Sequence, residues 1–136
     1  MSKSAYIKLV SGSKYSSITL EELKKLLQYY QEMTELTGKQ LNWDYKGAAF
    51  PYDIIEKEEE GTKYLLLQGK DPNLYRYLVM GVLESEDSPQ IQIVVPTQAT
   101  HGDLAKANEL SRFIAKQVQG ELHMFNDRVM YFYKRK

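Results

Sequence analysis

Residues 52–68, with the sequence YDIIEKEEEGTKYLLLQ, decide the fold. Two runs rich in strand-forming residues, 52–57 and 62–68, flank the polar segment 58–61, which ends in glycine. A short polar connection that ends in glycine is typical of a β-hairpin, so the two runs are predicted to pair as antiparallel strands. The second run contains the unbroken apolar stretch 64–67, which predicts a central position in the sheet.

Strands and helices follow on both sides of this hairpin. Patterns typical of strands cover residues 5–10, 75–83, 90–95, 121–125 and 128–133, and residues 41–52 favour an edge strand or an irregular segment. Two amphipathic stretches predict helices, the first capped by Thr19 and Glu22 and ended by Gly38, the second ended by Gly120. The predicted fold is therefore α+β. It is a mostly antiparallel sheet of about six or seven strands with two amphipathic helices packed on it, in the order β-α-β-β-β-β-α-β-β.

The closing hairpin is predicted to turn at Asn126 and Asp127, a two-residue turn that pairs Phe125 with Arg128. Because side chains alternate along a strand, this register divides the hairpin into two faces. The first face is core-like and carries Leu122, Met124, Val129, Tyr131 and Tyr133. The second face is mixed and carries Glu121, His123, Phe125, Arg128, Met130 and Phe132, so we expect binding there.

The composition excludes several classes of protein. A chain of 136 residues corresponds to one globular domain, residues 1–136. The 18 basic residues balance the 18 acidic ones, which excludes general nucleic-acid binding through bulk positive charge. The chain contains no cysteine, so disulfides, thiolate metal sites and cysteine nucleophiles are excluded. Since no apolar run approaches the roughly 20 residues of a membrane span and no signal peptide is evident, we expect a cytoplasmic protein without membrane contact.

The most site-like stretch lies before the second helix and contains Thr97, Thr100, His101 and Gly102. Free N–H groups at a helix start attract anions, and a histidine can donate to a phosphate or exchange a proton near pH 7. His123 and Arg128 of the closing hairpin join these four residues as candidate ligand-binding residues.

The same stretch has a structural interpretation. Thr100 and Asp103 have the spacing of a capping box, or Asp103 is itself the helix cap. Both alternatives place a carboxylate where an anion would bind, and it would repel that anion.

Catalytic and metal-binding patterns do not emerge from the sequence. Only two histidines, His101 and His123, are present, without the spacing of metal ligands. No serine lies in a nucleophile elbow, and no glycine-rich phosphate loop exists. We therefore expect no catalytic residue, no metal and no cofactor.

The tyrosine content and the charge distribution indicate binding surfaces rather than a catalytic or metal site. The chain has 11 Tyr against 4 Phe and 1 Trp, and tyrosine suits binding interfaces as well as the edge of a small core. Residues 53–60 hold five acidic residues and one lysine, whereas residues 104–136 hold seven basic and three acidic residues. Such patches pair subunits head to tail, steer an acidic partner to the C-terminal hairpin, or are simply solvated.

Several segments carry a family resemblance: residues 5–10 (AYIKLV), 49–52 (AFPY), 99–103 (ATHGD), 106–109 (KANE), 120–123 (GELH) and 131–133 (YFY). Along nearly its whole length the chain resembles a small uncharacterised family of Bacillus-type proteins, known only as a domain of unknown function. The resemblance implies a bacterial cytoplasmic protein and supplies no activity, cofactor or site residue.

Two functions therefore stay open. The favoured one is a non-catalytic protein-interaction or regulatory domain, which binds a protein partner or forms a homo-oligomer. The alternative is a binding protein or enzyme for an anionic or phosphorylated small molecule, with His101 as a proton donor in the loop that opens the second helix.

Overall fold

The computed structural model describes residues 3–15, 17–41, 52–70, 73–83 and 89–133, with the side chains of the first helix described as far as Thr34. In chain order the elements are β1 (Lys3–Lys8), α1 (Leu20–Leu41), β2 (Tyr52–Glu59), β3 (Thr62–Gly69), β4 (Tyr77–Leu83), β5 (Gln90–Val95), α2 (His101–Val118), β6 (Glu121–His123) and β7 (Val129–Tyr131). This order and the α+β class confirm the prediction. The predicted edge or irregular segment at 41–52 lies mostly outside the described residues.

All seven strands form one antiparallel sheet in the order β2-β3-β4-β5-β1-β6-β7. The strand β1 is therefore central although it comes first in the chain. The meander β2 to β5 approaches β1 from one side, and α2 then carries the chain over to β6 on the other side. The predicted hairpin between β2 and β3 turns at Glu60 and Gly61, whose φ angles of 52° and 81° suit a two-residue hairpin turn.

Both helices cover one face of this sheet. Strand side chains on that face alternate with those of the opposite face and are fully buried, among them Ile7, Leu65, Leu67, Leu78, Met80, Ile91 and Ile93. The helices add buried leucine, isoleucine and valine side chains, and the rings of Tyr30 and Phe113 join α1 to α2 at a centroid distance of 5.0 Å. The opposite face of the sheet, which we call the open face, carries no helix among the described residues. None of the helices described is long and apolar enough to cross a membrane.

The two predicted helix ends are wrong in detail. The helix α1 continues through Gly38 to Leu41. In α2 the left-handed residue is Gln119, with a φ of 54°, and its N–H bonds to the carbonyl of Ala115. Gly120 is needed for another reason, because a Cβ at that position would lie 2.9 Å from the Ile7 side chain and 2.9 Å from the Lys8 carbonyl oxygen.

The predicted register of the closing hairpin is also wrong, by one residue. His123 pairs with Val129 and Leu122 with Met130, and the five-residue connection 124–128 replaces the two-residue turn. A one-residue slip moves every side chain to the other face of the sheet. Val129 and Tyr131 consequently lie on the open face with exposures of 36% and 49%, so they are not core residues.

Candidate functional site

The start of α2 is a capping box. The hydroxyl of Thr100 accepts a hydrogen bond from the Asp103 N–H at 3.1 Å, and the Thr100 N–H donates to Asp103 Oδ2 at 2.9 Å. This reciprocal pair confirms the capping-box interpretation over the alternative in which Asp103 is the cap. Thr19 and Glu22 form the same arrangement at α1, with hydrogen bonds of 3.0 and 3.1 Å.

Asp103 does more than cap the helix, because its carboxylate is fully buried and joins three parts of the chain. In addition to the Thr100 N–H, it accepts a hydrogen bond of 2.5 Å from the Tyr52 hydroxyl and one of 3.0 Å from the Arg76 N–H. Donors of this kind satisfy a charge that burial would otherwise make costly. The carboxylate therefore holds the edge strand β2 and the loop before β4 against the start of α2.

Tyr52 is the phenol partner of this carboxylate. Burial is the main cause that raises the pKa of Tyr52 far above its ordinary value, and the hydrogen bond to Asp103 and that residue's negative charge raise it further. Tyr52 therefore stays protonated and acts as a donor. Its ring packs edge-on against the ring of Tyr75 at a centroid distance of 5.7 Å.

Thr100 and Gly102 complete the same junction. The Thr100 hydroxyl donates to the carbonyl oxygen of Leu74 at 2.6 Å. A Cβ on Gly102 would lie 2.6 Å from that oxygen and 3.0 Å from the Tyr75 ring, so only glycine lets the loop approach this closely. Both residues thus have a structural role, and their role in ligand binding stays a prediction.

Beside this junction lies a pocket of about 410 Å³, which we call the helix-start pocket. It brings together the predicted Thr97, Thr100 and His101 with the side chain of Lys3. The sequence did not predict Lys3 as a site residue, because only the pairing of Lys3 with Val95 places the N-terminal strand next to this loop.

His123 lies in a different place, on β6. Its Nε2 is 2.8 Å from the Glu121 carboxylate, and its ring lines a pocket of about 530 Å³ on the open face. We call this the polar pocket; it is lined by Ser4, Tyr6, Lys8, Leu83, Gln90, His123, Met124 and Asp127.

Arg128 lines a third pocket, of about 440 Å³, together with Arg112 and Met130. Five of the six predicted ligand-binding residues are therefore distributed over three pockets, Gly102 lines none of these three, and the two histidines line different pockets. Within the described ranges, no three His, Asp or Glu residues are grouped so as to hold a metal ion.

The open face also carries a straight row of aliphatic side chains. Strand pairing aligns Ile55 with Leu66, Leu66 with Val79, and Val79 with Val94, so one apolar residue from each of β2, β3, β4 and β5 stands in line. All four side chains are partly exposed. We call these four residues the aliphatic row. In the sequence these four residues lie within apolar runs, but the row depends on the register of three strand pairs.

A family model described as "Domain of unknown function (DUF1885)" matches residues 3–134. The chain belongs to the DUF1885 family. Its sequence is also 42% identical to a solved structure described as a protein of unknown function from Bacillus stearothermophilus, with a TM-score of 0.60 and coverage of 86% of this chain and 90% of that one. None of the curated proteins matches the chain. The predicted resemblance to an uncharacterised Bacillus-type family is thereby confirmed, and the family description assigns no function.

Proposed function

We propose that this DUF1885 protein is a non-catalytic protein-interaction domain that binds through the open face of its sheet. The aliphatic row is the observation that carries the proposal. The row aligns partly exposed Ile, Leu and Val side chains across four strands. Covering them with a second apolar surface is favourable by about 25 cal/mol per Å² of apolar area buried. We also propose that the protein acts in the bacterial cytoplasm.

The size of the open face supports this use. Seven strands spaced about 4.8 Å apart and about six residues long give a face of roughly 30 by 20 Å. That area is of the order of the roughly 800 Å² that each partner buries in a standard interface. Sheets pack face to face at about 10 Å when their facing side chains are apolar, as they are along the aliphatic row.

A second copy of this chain is the partner that fits best. The formal net charge of the chain is zero, so two copies do not repel each other through net charge. Packing the same face of both copies about a two-fold axis would place one aliphatic row against the other, as in the isologous interfaces of most homodimers.

Sedimentation equilibrium of the full chain tests this proposal. We expect a concentration-dependent dimer in the wild type and at least about tenfold weaker association in Val79→Lys and in the milder Val94→Thr. Leu74→Lys is the control, because Leu74 is 60% exposed and lies outside the open face. A wild type that stays monomeric at about 1 mM, or a Leu74→Lys variant that dissociates as readily as Val79→Lys, would overturn the proposal.

The helix-start pocket supports a second candidate function, the binding of a phosphorylated small molecule. It is lined by Lys3, His101 and Thr97, residue types whose side chains carry an ammonium, an imidazole and a hydroxyl group. The carboxylate of Asp103 is buried and engaged by three donors. Stabilisation of the wild type by glycerol 3-phosphate in a thermal-shift assay, lost in His101→Ala, would support this candidate; no shift in the wild type would contradict it.

A further inference from the structure

The polar pocket occupies the part of the open face beyond the aliphatic row. Strand pairing places Tyr6 opposite His123, and Lys8 lies between Gln90 and Glu121. The pocket volume of about 530 Å³ falls in the range of roughly 300–1,000 Å³ that is usual for small-molecule sites.

One end of the polar pocket carries a cation, Lys8. The nearest acidic residue in the strand register is Glu121, but its carboxylate is engaged by His123 at 2.8 Å. Among the described residues Lys8 has no ion-pair partner. An ammonium group in this position can pair with a carboxylate of a ligand.

The other end carries an anion. The connection 124–128 follows β6 and holds Asp127 with a φ of 67°, a left-handed conformation that aspartate tolerates. The Asp127 N–H donates to the Met124 carbonyl at 3.1 Å, which fixes this residue at the rim. Within the part of the chain that the structure describes, the Asp127 carboxylate also has no ion-pair partner.

Neutral groups occupy the space between the two charges. The hydroxyls of Ser4 and Tyr6 both lie 3.4 Å from the side-chain nitrogen of Gln92, and the bond to Glu121 holds the His123 ring in place. Leu83, which is 39% exposed, supplies an apolar wall.

The backbone separation of the two ends of the polar pocket sets the length of a ligand. Lys8 lies at one end of β1, and Ser4, which lines the same pocket as Asp127, lies near the other end. Four residues of strand separate them by about 13 Å. A free amino acid is too short for this span, whereas two extended residues cover about 7 Å and the lysine side chain reaches over much of the rest.

We propose that the polar pocket binds a short unblocked peptide. The peptide's terminal carboxylate pairs with Lys8, its terminal ammonium pairs with Asp127, and an apolar side chain rests on Leu83. A ligand that carries only one of these two charges leaves either Lys8 or Asp127 without an ion-pair partner. The site therefore selects ligands that carry both a carboxylate and an ammonium group.

Isothermal titration calorimetry with leucyl-leucine tests this inference on the full chain. We expect N-acetyl-leucyl-leucine, leucyl-leucinamide and free leucine each to bind about tenfold or more weakly than leucyl-leucine, because each lacks one charge or the required length. Lys8→Gln and Asp127→Asn are expected to weaken binding of leucyl-leucine by at least the same factor.

Lys63→Gln is the matched control, since Lys63 is an exposed lysine on β3 that does not line the polar pocket. Asparagine tolerates a positive φ, so Asp127→Asn keeps the fold, which circular dichroism verifies. Absence of binding by leucyl-leucine at about 10 mM would overturn the inference. Equal affinity for the blocked peptides, or an equal loss of binding in Lys63→Gln, would overturn it too. Because the polar pocket lies on the open face that the proposed dimer would cover, the titration uses protein diluted until sedimentation shows a monomer, and failure of this inference can then be told apart from failure of the proposed dimer.

Discussion

The hydroxyl of Tyr52 donates a hydrogen bond of 2.5 Å to the buried carboxylate of Asp103. Tyr52 is the first residue of the edge strand β2, and Asp103 is the third residue of α2. The bond therefore fixes one end of the sheet to the start of the helix that covers it. Both partners are fully buried, so neither can exchange this bond for one with water.

Removal of this hydroxyl is expected to destabilise the fold. Tyr52→Phe leaves the Asp103 carboxylate with two backbone donors and no phenol. Loss of a hydrogen bond to a buried charge costs about 1.5–3 kcal/mol. Urea unfolding measures the change in the free energy of unfolding. Tyr77→Phe is the control, because the Tyr77 hydroxyl bonds to Gln98 at an exposed position. An equal decrease in the free energy of unfolding in Tyr52→Phe and Tyr77→Phe would contradict the stabilising role of the hydrogen bond from Tyr52 to Asp103.

The same bond predicts a loss of stability in alkali. The pKa of Tyr52 is raised in the folded state above its ordinary value of 10.0, mainly by burial. The folded protein therefore retains a proton that the unfolded chain releases above about pH 10, so the free energy of unfolding falls as the pH rises further.

The steepest additional slope from one proton is about 1.4 kcal/mol per pH unit. Urea unfolding of the wild type and of Tyr52→Phe between about pH 9 and 11 compares the two slopes, since the other titrating groups are common to both proteins. We expect a shallower slope in the variant. Parallel slopes would show that Tyr52 ionises equally in both states.

The order of the elements was predictable because it depends on local patterns. The two strand-forming runs of β2 and β3 and the glycine at Gly61 define a hairpin without reference to the rest of the chain. The register of the closing hairpin was not predictable in this way. Asn126 and Asp127 suit a two-residue turn, but hydrogen bonds from Met124 to Arg128 and from Asp127 to Met124 close a longer connection.

In the candidate site, too, local contacts were predictable from the sequence and contacts between distant residues were not. The spacing of Thr100 and Asp103 predicted the capping box, since both residues belong to one helix start. The partners Tyr52 and Arg76 are distant in the sequence and reach Asp103 only through the sheet order. Likewise, the pairing of Tyr6 with His123 depends on β1 lying between β5 and β6.

Close packing at the start of α2 gives a third prediction. Gly102→Ala would place a Cβ 2.6 Å from the Leu74 carbonyl oxygen, so the loop must move away from the helix. Forcing such a shift costs about 1–3 kcal/mol. Gly81→Ala is the matched control, because its Cβ would lie 3.9 Å from the Tyr64 Cβ, an ordinary contact. Thermal or urea unfolding of both variants checks this prediction, and similar stabilities for the two would contradict it.

The capping boxes at the starts of α1 and α2 allow a last comparison. Thr19 and Thr100 both cap a helix, but only the Thr100 hydroxyl also donates to a distant carbonyl, that of Leu74 at 2.6 Å. Loss of a threonine cap costs about 1 kcal/mol. A further hydrogen bond contributes about 1 kcal/mol.

We therefore expect Thr100→Ala to lower the free energy of unfolding by about 2 kcal/mol and Thr19→Ala by about 1 kcal/mol. Thr100→Ser keeps the hydroxyl and is expected to restore most of the difference, because serine caps helices at least as well as threonine. Urea unfolding of the three variants measures these values under one set of conditions. Equal losses in the two alanine variants would mean that the bond to Leu74 adds nothing to stability. A Thr100→Ser variant as unstable as Thr100→Ala would mean that the threonine methyl group, and not the hydroxyl, holds the loop against α2.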